Sequence, residues 1–272
     1  MKKRYWILQT GEPIHTDNDG LKKMRCMNLS TQLLNQGNEV HIFTSSFFHQ
    51  KKIHRSKKYK KLSVTNFLHI HLIPSVGYNK NISLKRLFDH LQLAINLSSL
   101  LKTFNIKDFP DSIFIGFPPI ETSYVMQKWA IQRNIPTIVD VKDQWPQIFI
   151  EPFPFFIQKI VKLILLPYFL ITKRVFKNAE VICSISKPFL DWVYMFSGRE
   201  PSLRDGVYPL TSEPASDKCS FQELPSQLKN ILENNLETPI LYFAGSITKS
   251  FNFYPVFNLI IEAQKQGLEI YL

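Results

Sequence analysis

The chain has 272 residues, 44% hydrophobic and 13% aromatic, and a formal net charge of +11. That composition excludes global disorder and provides a core for one large domain or two smaller ones. The charge calls for an anionic partner (a nucleoside diphosphate, a lipid head group or nucleic acid), and Cys26, Cys183 and Cys219 lie too far apart for a disulfide framework or a C-x-x-C zinc site, which fits a reducing cytosol.

The opening MKKRYWILQTGEP has too short an apolar run for a signal-peptide core and reads as a strand over 5–9. A helix over 21–35 stopped by Gly37 and a strand over 40–44 follow. Residues 51–61 hold seven basic side chains, which suit either a solvated loop or contact with anionic lipid or a diphosphate. Leu68, Ile70 and Leu72 alternate with His69 and His71, the period of a strand with one buried face. His69 and His71 share the other face as metal ligands could, but no third ligand is evident, so no metal is expected.

Ser83 is a plausible N-cap, and Leu84, Leu87, Phe88, Leu91 and Ile95 recur at helical spacing. A strand over 113–117 ends in Pro118-Pro119, a helix covers 121–133, and a strand covers 137–141. Residues 155–178 read as one helix, 181–184 as a strand and 188–196 as a helix ending near Gly198. Within the helix, FFIQKIVKLILLPYFLITKRVF approaches the length of a membrane span. Lys159 and Lys162 in its middle favour a helix with one buried or membrane-facing side instead. Apolar content drops over 211–225, and strand–helix–strand alternation resumes at 240–243, 254–266 and from 269. Domains over 1–205 and 237–272 joined by a linker over 206–236 are expected, with no internal repeat. The fold class is α/β, a parallel sheet covered on both faces.

In such sheets ligands bind past the carboxyl ends of the strands. TGEPIHTDNDG, FPPIE and KDQWPQ lie there, so Gly11, Pro118, Glu121, Asp143 and Trp145 are candidate site residues. Asp143 either faces a ligand that Trp145 walls or caps a structural turn. No G-x-G-x-x-G or P-loop occurs. Gly11 and Gly20 still bracket a loop running into a helix start, which suits an anion, and Arg25 adds a charge or is simply a solvated helix residue.

Taken together, GEPIHTD with Arg25 downstream, TSSFFHQKKIHR, PPIETSY, IPTIVDVKDQWPQIF, ISKPFLDWV, GVYPL and YFAGSITKSFNF resemble the retaining GT-B glycosyltransferases of family 4, in the branch that builds O-antigen and other surface polysaccharides. That branch usually reads D-x-R-D-x-W-P where Lys142 stands here. The resemblance implies a Rossmann-like acceptor-side domain followed by the first β-α-β piece of a second, nucleotide-sugar domain. It implies sugar transfer from a nucleotide-sugar, with no other cofactor, to a polyprenyl-linked glycan at the cytoplasmic face of an anionic cell membrane. It also implies Asp143 beside the transfer centre, Gly20 and Arg25 near the diphosphate, and Gly245 with Ser246 in the first donor-domain loop. The family continues well beyond GLEIYL, so a truncated product, or a separate polypeptide completing the C-terminal domain, is expected. The 272 residues alone should then show negligible activity. A non-catalytic acceptor- or membrane-docking subunit of a split transferase is the alternative. A nucleic-acid partner is not expected, since no base-reading motif accompanies the charge.

Overall fold

Strands and helices alternate through the first of two units, Met1–Glu213, and the strands pair into one eight-stranded sheet and a separate two-stranded antiparallel sheet, Phe47–Phe48 with Ile53–His54. The computed structural model describes residues 2–17, 23–81, 83–210, 226–234, 241, 243 and 252–268. In chain order the strands are β1 (Arg4–Leu8), β2 (Glu39–Ser45), β3 (Phe47–Phe48), β4 (Ile53–His54), β5 (Lys60–Ser63), β6 (Leu68–Ile73), β7 (Ser112–Phe117), β8 (Thr137–Val141), β9 (Val181–Ser184) and β10 (Gly206–Val207). The helices are α1 (Arg25–Asn35), α2 (Leu84–Leu101), α3 (Ile120–Ile131), α4 (Phe155–Ile164), α5 (Leu166–Asn178) and α6 (Lys187–Ser197). The sheet order is β10-β9-β8-β7-β1-β2-β6-β5, parallel throughout except for the antiparallel edge strand β5. This is the expected Rossmann-like architecture.

Strand alternation divides the core. Trp6 and Leu8 of β1 enter one cluster with Phe43, Leu93, Ile115 and Val139. Ile7, between them, enters the opposite cluster with Val40, Ile42, Ile70 and Cys26. Ser83 caps α2 by accepting the Arg86 N–H, and Gly198, at φ +64°, ends α6.

Several expectations are corrected. The helix expected over 155–178 is two helices bent by 70° at Leu165, because Pro167 in the first turn of α5 has no N–H to continue α4. Leu84, Leu87, Phe88, Leu91 and Ile95 recur along α2 as expected but face outward, and α2 buries Leu93, Ala94, Leu97 and Leu101. The basic run is not one solvated loop. It contains β4 and the start of β5, and Arg55 is buried against Asp17. Strand β6 is covered on both faces, with His71 1% exposed. Gly206–Val207, expected in the linker, forms the sheet edge beside β9.

In the second unit, Pro214–Leu272, the described elements are α7 (Ser226–Asn234), inside the expected linker, and α8 (Tyr254–Lys265). The strands expected over 240–243 and from 269 fall outside the described residues, apart from Leu241 and Phe243, which are in no strand.

Candidate active site

Past the carboxyl ends of β1, β2, β7 and β8, two cavities open side by side. The first, about 170 Å³, has walls that are about half polar, with Gln9, Ser45, His49 and Asp89 set among Gly11, Phe47, Leu93 and Pro118. The second, about 430 Å³, is an apolar groove between Leu84 and Leu87 of α2, Ile120 of α3, Phe149, Leu165 and Tyr168. Arg86, His90 and Trp145 line both, so these three side chains form the wall between them. The loops TGEP, FPP and KDQWP therefore meet at one edge of the sheet.

Trp145 is held from several sides. The Arg86 guanidinium lies 4.9 Å from its ring centre, the His90 ring stacks on it at 5.7 Å, and Phe149 meets it edge-on at 4.6 Å. Its indole N–H donates to Asp143 Oδ2 at 3.1 Å, and Asp143 Oδ1 accepts the Gln144 N–H at 3.0 Å. Asp143 thus uses both oxygens locally. Burial pushes its carboxyl above the usual range, against these hydrogen bonds. Trp145, not Asp143, reaches the cavities.

Glu121, in the first turn of α3, is nearly buried in the groove wall. Its Oε1 accepts the Tyr168 hydroxyl at 2.9 Å, and Oε2 has no hydrogen-bond partner. Burial raises its pKa. Oε2 lies 3.7 Å from His90 Nδ1, too far for a hydrogen bond. Burial, then the nearby Arg86 and His49, push His90 down to about 3, so it is a neutral imidazole. In the first cavity Gln9 Oε1 is also buried without a partner. Gly116 makes room for that side chain: a Cβ there would stand 1.7 Å from Gln9 Oε1.

Behind the cavities lies a knot of four charges. Asp140 of β8, fully buried, is ion-paired with Arg25 Nε at 3.3 Å and Lys142 Nζ at 3.8 Å, neither aligned as a hydrogen bond, and Lys142 also pairs with Glu12. Glu12 Oε2 accepts the Cys26 N–H at 2.8 Å, capping α1 where Met24 offers no side-chain cap. Arg25 also donates to the Tyr208 carbonyl. Burial, only partly offset by Lys142 and Arg25, pushes Asp140 up to about 6. The knot joins the β1 loop, α1, β8 and the segment after β10. Arg25 is therefore an internal partner rather than a free or solvated charge.

Gly11, Pro118, Glu121 and Trp145 come together as the motifs place them. Asp143 and Arg25 stand one layer back, and Gly20, Gly245 and Ser246 lie outside the described residues. Sequence reasoning missed Arg86 and His90. Their i, i+4 spacing after the Ser83 cap, on the flank of an apolar stripe, is the signal that could have found them.

No protein-family model matches the chain, and no curated protein sequence matches it significantly. Among solved structures, Arabidopsis thaliana UGT89C1 is similar at 14% identity and TM-score 0.51, covering 99% of this chain and 64% of that one. Its complex with UDP-L-rhamnose is similar at 14% identity and TM-score 0.50, over the same shares. A sucrose-phosphate synthase from Thermosynechococcus elongatus aligns at 9% identity and TM-score 0.48, covering 85% of this chain and 94% of that one. The chain spans about two-thirds of the length of the UGT89C1 structures or slightly less. What is shared at this identity is the Rossmann-like α/β fold of GT-B glycosyltransferases.

Proposed function

We propose that the chain is the acceptor-side part of a GT-B glycosyltransferase of the retaining family 4 type. It moves a sugar from a nucleotide-sugar to a polyprenyl-diphosphate-linked glycan during surface-polysaccharide assembly. The observation that carries this reading is the pairing of a half-polar cavity with an almost wholly apolar groove across one wall containing Arg86. An acceptor with a sugar and diphosphate at one end and a hydrocarbon chain at the other needs that division of surface. In this reading the chain lies in the groove, Arg86 faces the diphosphate, and the glycan end occupies the cavity beside Gln9 and Gly11. The UDP-L-rhamnose complex of UGT89C1 supports a nucleotide-sugar as donor. Charge on the departing nucleoside diphosphate calls for donors fixed in advance, and Gly20, Gly245 and Ser246 are proposed for that side. Asp143 serves by fixing Trp145 in the wall.

The second part of the proposal is peripheral attachment to an anionic membrane on its cytoplasmic face. On α4, Phe156, Ile160, Leu163 and Ile164 fall on one face and are 60–70% exposed. On α2, Leu84, Phe88 and Ile95 are 64–76% exposed. Leu84 of the α2 stripe and Leu165, directly after α4, line the groove, and Lys85, Lys159 and Lys162 flank the stripes for anionic head groups. Among the described residues no single helix is long and apolar enough to cross a membrane, while the bent pair α4–α5 meets that length and composition only together.

Membranes carrying the chain, given labelled nucleotide-sugars with and without an added GT-B nucleotide-sugar domain, test the reading. Label in the lipid extract supports it. Lipid binding without transfer under either condition points to a docking subunit.

A further inference from the structure

Far from these cavities, at the amino-terminal ends of β2 and β6, Glu39, His41 and His69 converge. His41 and His69 are direct cross-strand partners with ring centres 4.8 Å apart, and Glu39 stands two residues before His41 on the same face. Each offers one ligand atom, all within 4.8 Å of one another. His69 therefore finds its fellow ligands not in His71 but in Glu39 and His41 of the neighbouring strand. We infer that this triad is a binding site for a divalent transition cation of the zinc or nickel kind, with solvent completing the coordination.

The chemistry of the three groups fits. Glu39 is held as a carboxylate: burial opposes its charge, but hydrogen bonds from His41 and Arg4 prevail and lower its pKa to about 2. One carboxylate and two imidazoles on one sheet face are a donor set that zinc and nickel accept. His41 Nε2 and Glu39 Oε1 are 2.9 Å apart. Ligand atoms at about 2.0–2.1 Å from a tetrahedral ion stand about 3.3 Å apart, so a small opening of this pair admits the ion in place of the shared proton. His69 Nδ1, 3.1 Å from Ser63 Oγ, has its ring oriented.

Behind His41 runs a chain that the exchange can reverse. His41 Nδ1 is 3.1 Å from His71 Nε2, and His71 Nδ1 is 2.8 Å from the Tyr59 hydroxyl. Without metal, His41 Nε2–H donates to Glu39, His71 Nε2–H to His41, and Tyr59 O–H to His71. With metal on His41 Nε2, that proton leaves to solvent and His41 carries its proton on Nδ1. His71 then carries its own on Nδ1 and donates to the Tyr59 oxygen, whose hydroxyl proton comes from solvent. Each group keeps one proton and the net release is zero. This is the outer-shell support that orients a metal-bound histidine. Arg4, donating to both Glu39 oxygens at 3.1 and 3.2 Å, and Lys2 at 3.7 Å oppose the ion and weaken the site.

Isothermal titration of the full chain with Zn²⁺ alone tests this. One saturable site is expected, weakened at least tenfold in His69→Ala and strengthened several-fold in Arg4→Gln. Tyr59→Phe, which touches no ligand, should weaken it about tenfold. Imidazole ¹⁵N spectra should show the His71 proton moving from Nε2 to Nδ1 on binding. Absence of saturable Zn²⁺ binding, equal affinity in His69→Ala, or an unmoved His71 proton would overturn the assignment.

Discussion

Asp143 fixes the indole of Trp145, two residues further along the chain, through a 3.1 Å bond from Trp145 Nε1–H to Oδ2. A residue that the motif suggests for the transfer centre is, geometrically, the support of the wall between two cavities. If Asp143 acts by holding Trp145, Asp143→Asn keeps an acceptor oxygen and most of the function, while Asp143→Ala loses about 1–3 kcal/mol of local order. The check is kcat and KM for sugar transfer in both variants. Equal, large losses of kcat in both would instead make the negative charge itself the contribution.

Asp140 is the anion that Arg25 and Lys142 share. Removing one partner of a buried ionic group leaves uncompensated charge and destabilises by about 3–5 kcal/mol. Asp140→Ala should therefore lower the urea midpoint strongly, and Arg25→Met in the same chain should recover part of the loss. Additive losses in the double variant would show that the two do not interact.

The C-terminal strand edges were legible from sequence because the physics there is local. Prolines and polar residues directly after β-branched runs mark Pro118 and Trp145 as rim residues. The direction faced by α2 was not legible. Leu84, Phe88, Leu91 and Ile95 carry the periodicity of a core face, and only the packing of Leu93 and Leu97 against the sheet shows which stripe is buried. The bend at Leu165 was signalled by Pro167, but the apolar run hid it. The partnership of Asp140 with Arg25 joins residues 115 positions apart, beyond any periodic signal. The same holds for Glu39, His41 and His69, which become neighbours only through the β2–β6 register.

Acid should destabilise the fold. Burial pushes His41 down to about 4 and His71 and His90 to about 3. Unfolded imidazoles titrate near 6.5, so the unfolded chain binds protons that the fold refuses, and stability falls as pH drops below about 6.5. Asp140, pushed up to about 6, acts in the opposite sense, since the fold takes up its proton before the unfolded chain does. His49, also pushed down to about 4 by burial, joins these imidazoles, while Glu121 and Asp143, raised by burial, join Asp140. The imidazoles dominate because their unfolded forms take up protons across this range, each contributing a slope of up to about 1.4 kcal/mol per pH unit. Urea midpoints at pH 7.5, 6.5 and 5.5 should decline in that order, and a constant or rising series contradicts the assignment.

The exposed face of α4 should govern membrane affinity. Each large aliphatic side chain withdrawn from lipid loses about 1.5–3 kcal/mol, so Ile160→Asp with Leu163→Asp lowers binding to anionic vesicles about a hundredfold or more. Raised salt should release much of the wild-type chain through Lys159 and Lys162. Unchanged vesicle sedimentation in the double variant would remove α4 from the interface.

The most direct test of the acceptor-site account is sugar transfer into the lipid extract by wild type and by Leu87→Glu, which places a charge on the groove wall. Membranes supply the acceptors, labelled nucleotide-sugars the donor, and a GT-B nucleotide-sugar domain is present. The account predicts transfer by wild type and at least a tenfold rise in acceptor KM in the variant, with the urea midpoint unchanged because Leu87 is already 38% exposed. Transfer by Leu87→Glu at the wild-type KM, or no labelled lipid with any donor, would contradict it.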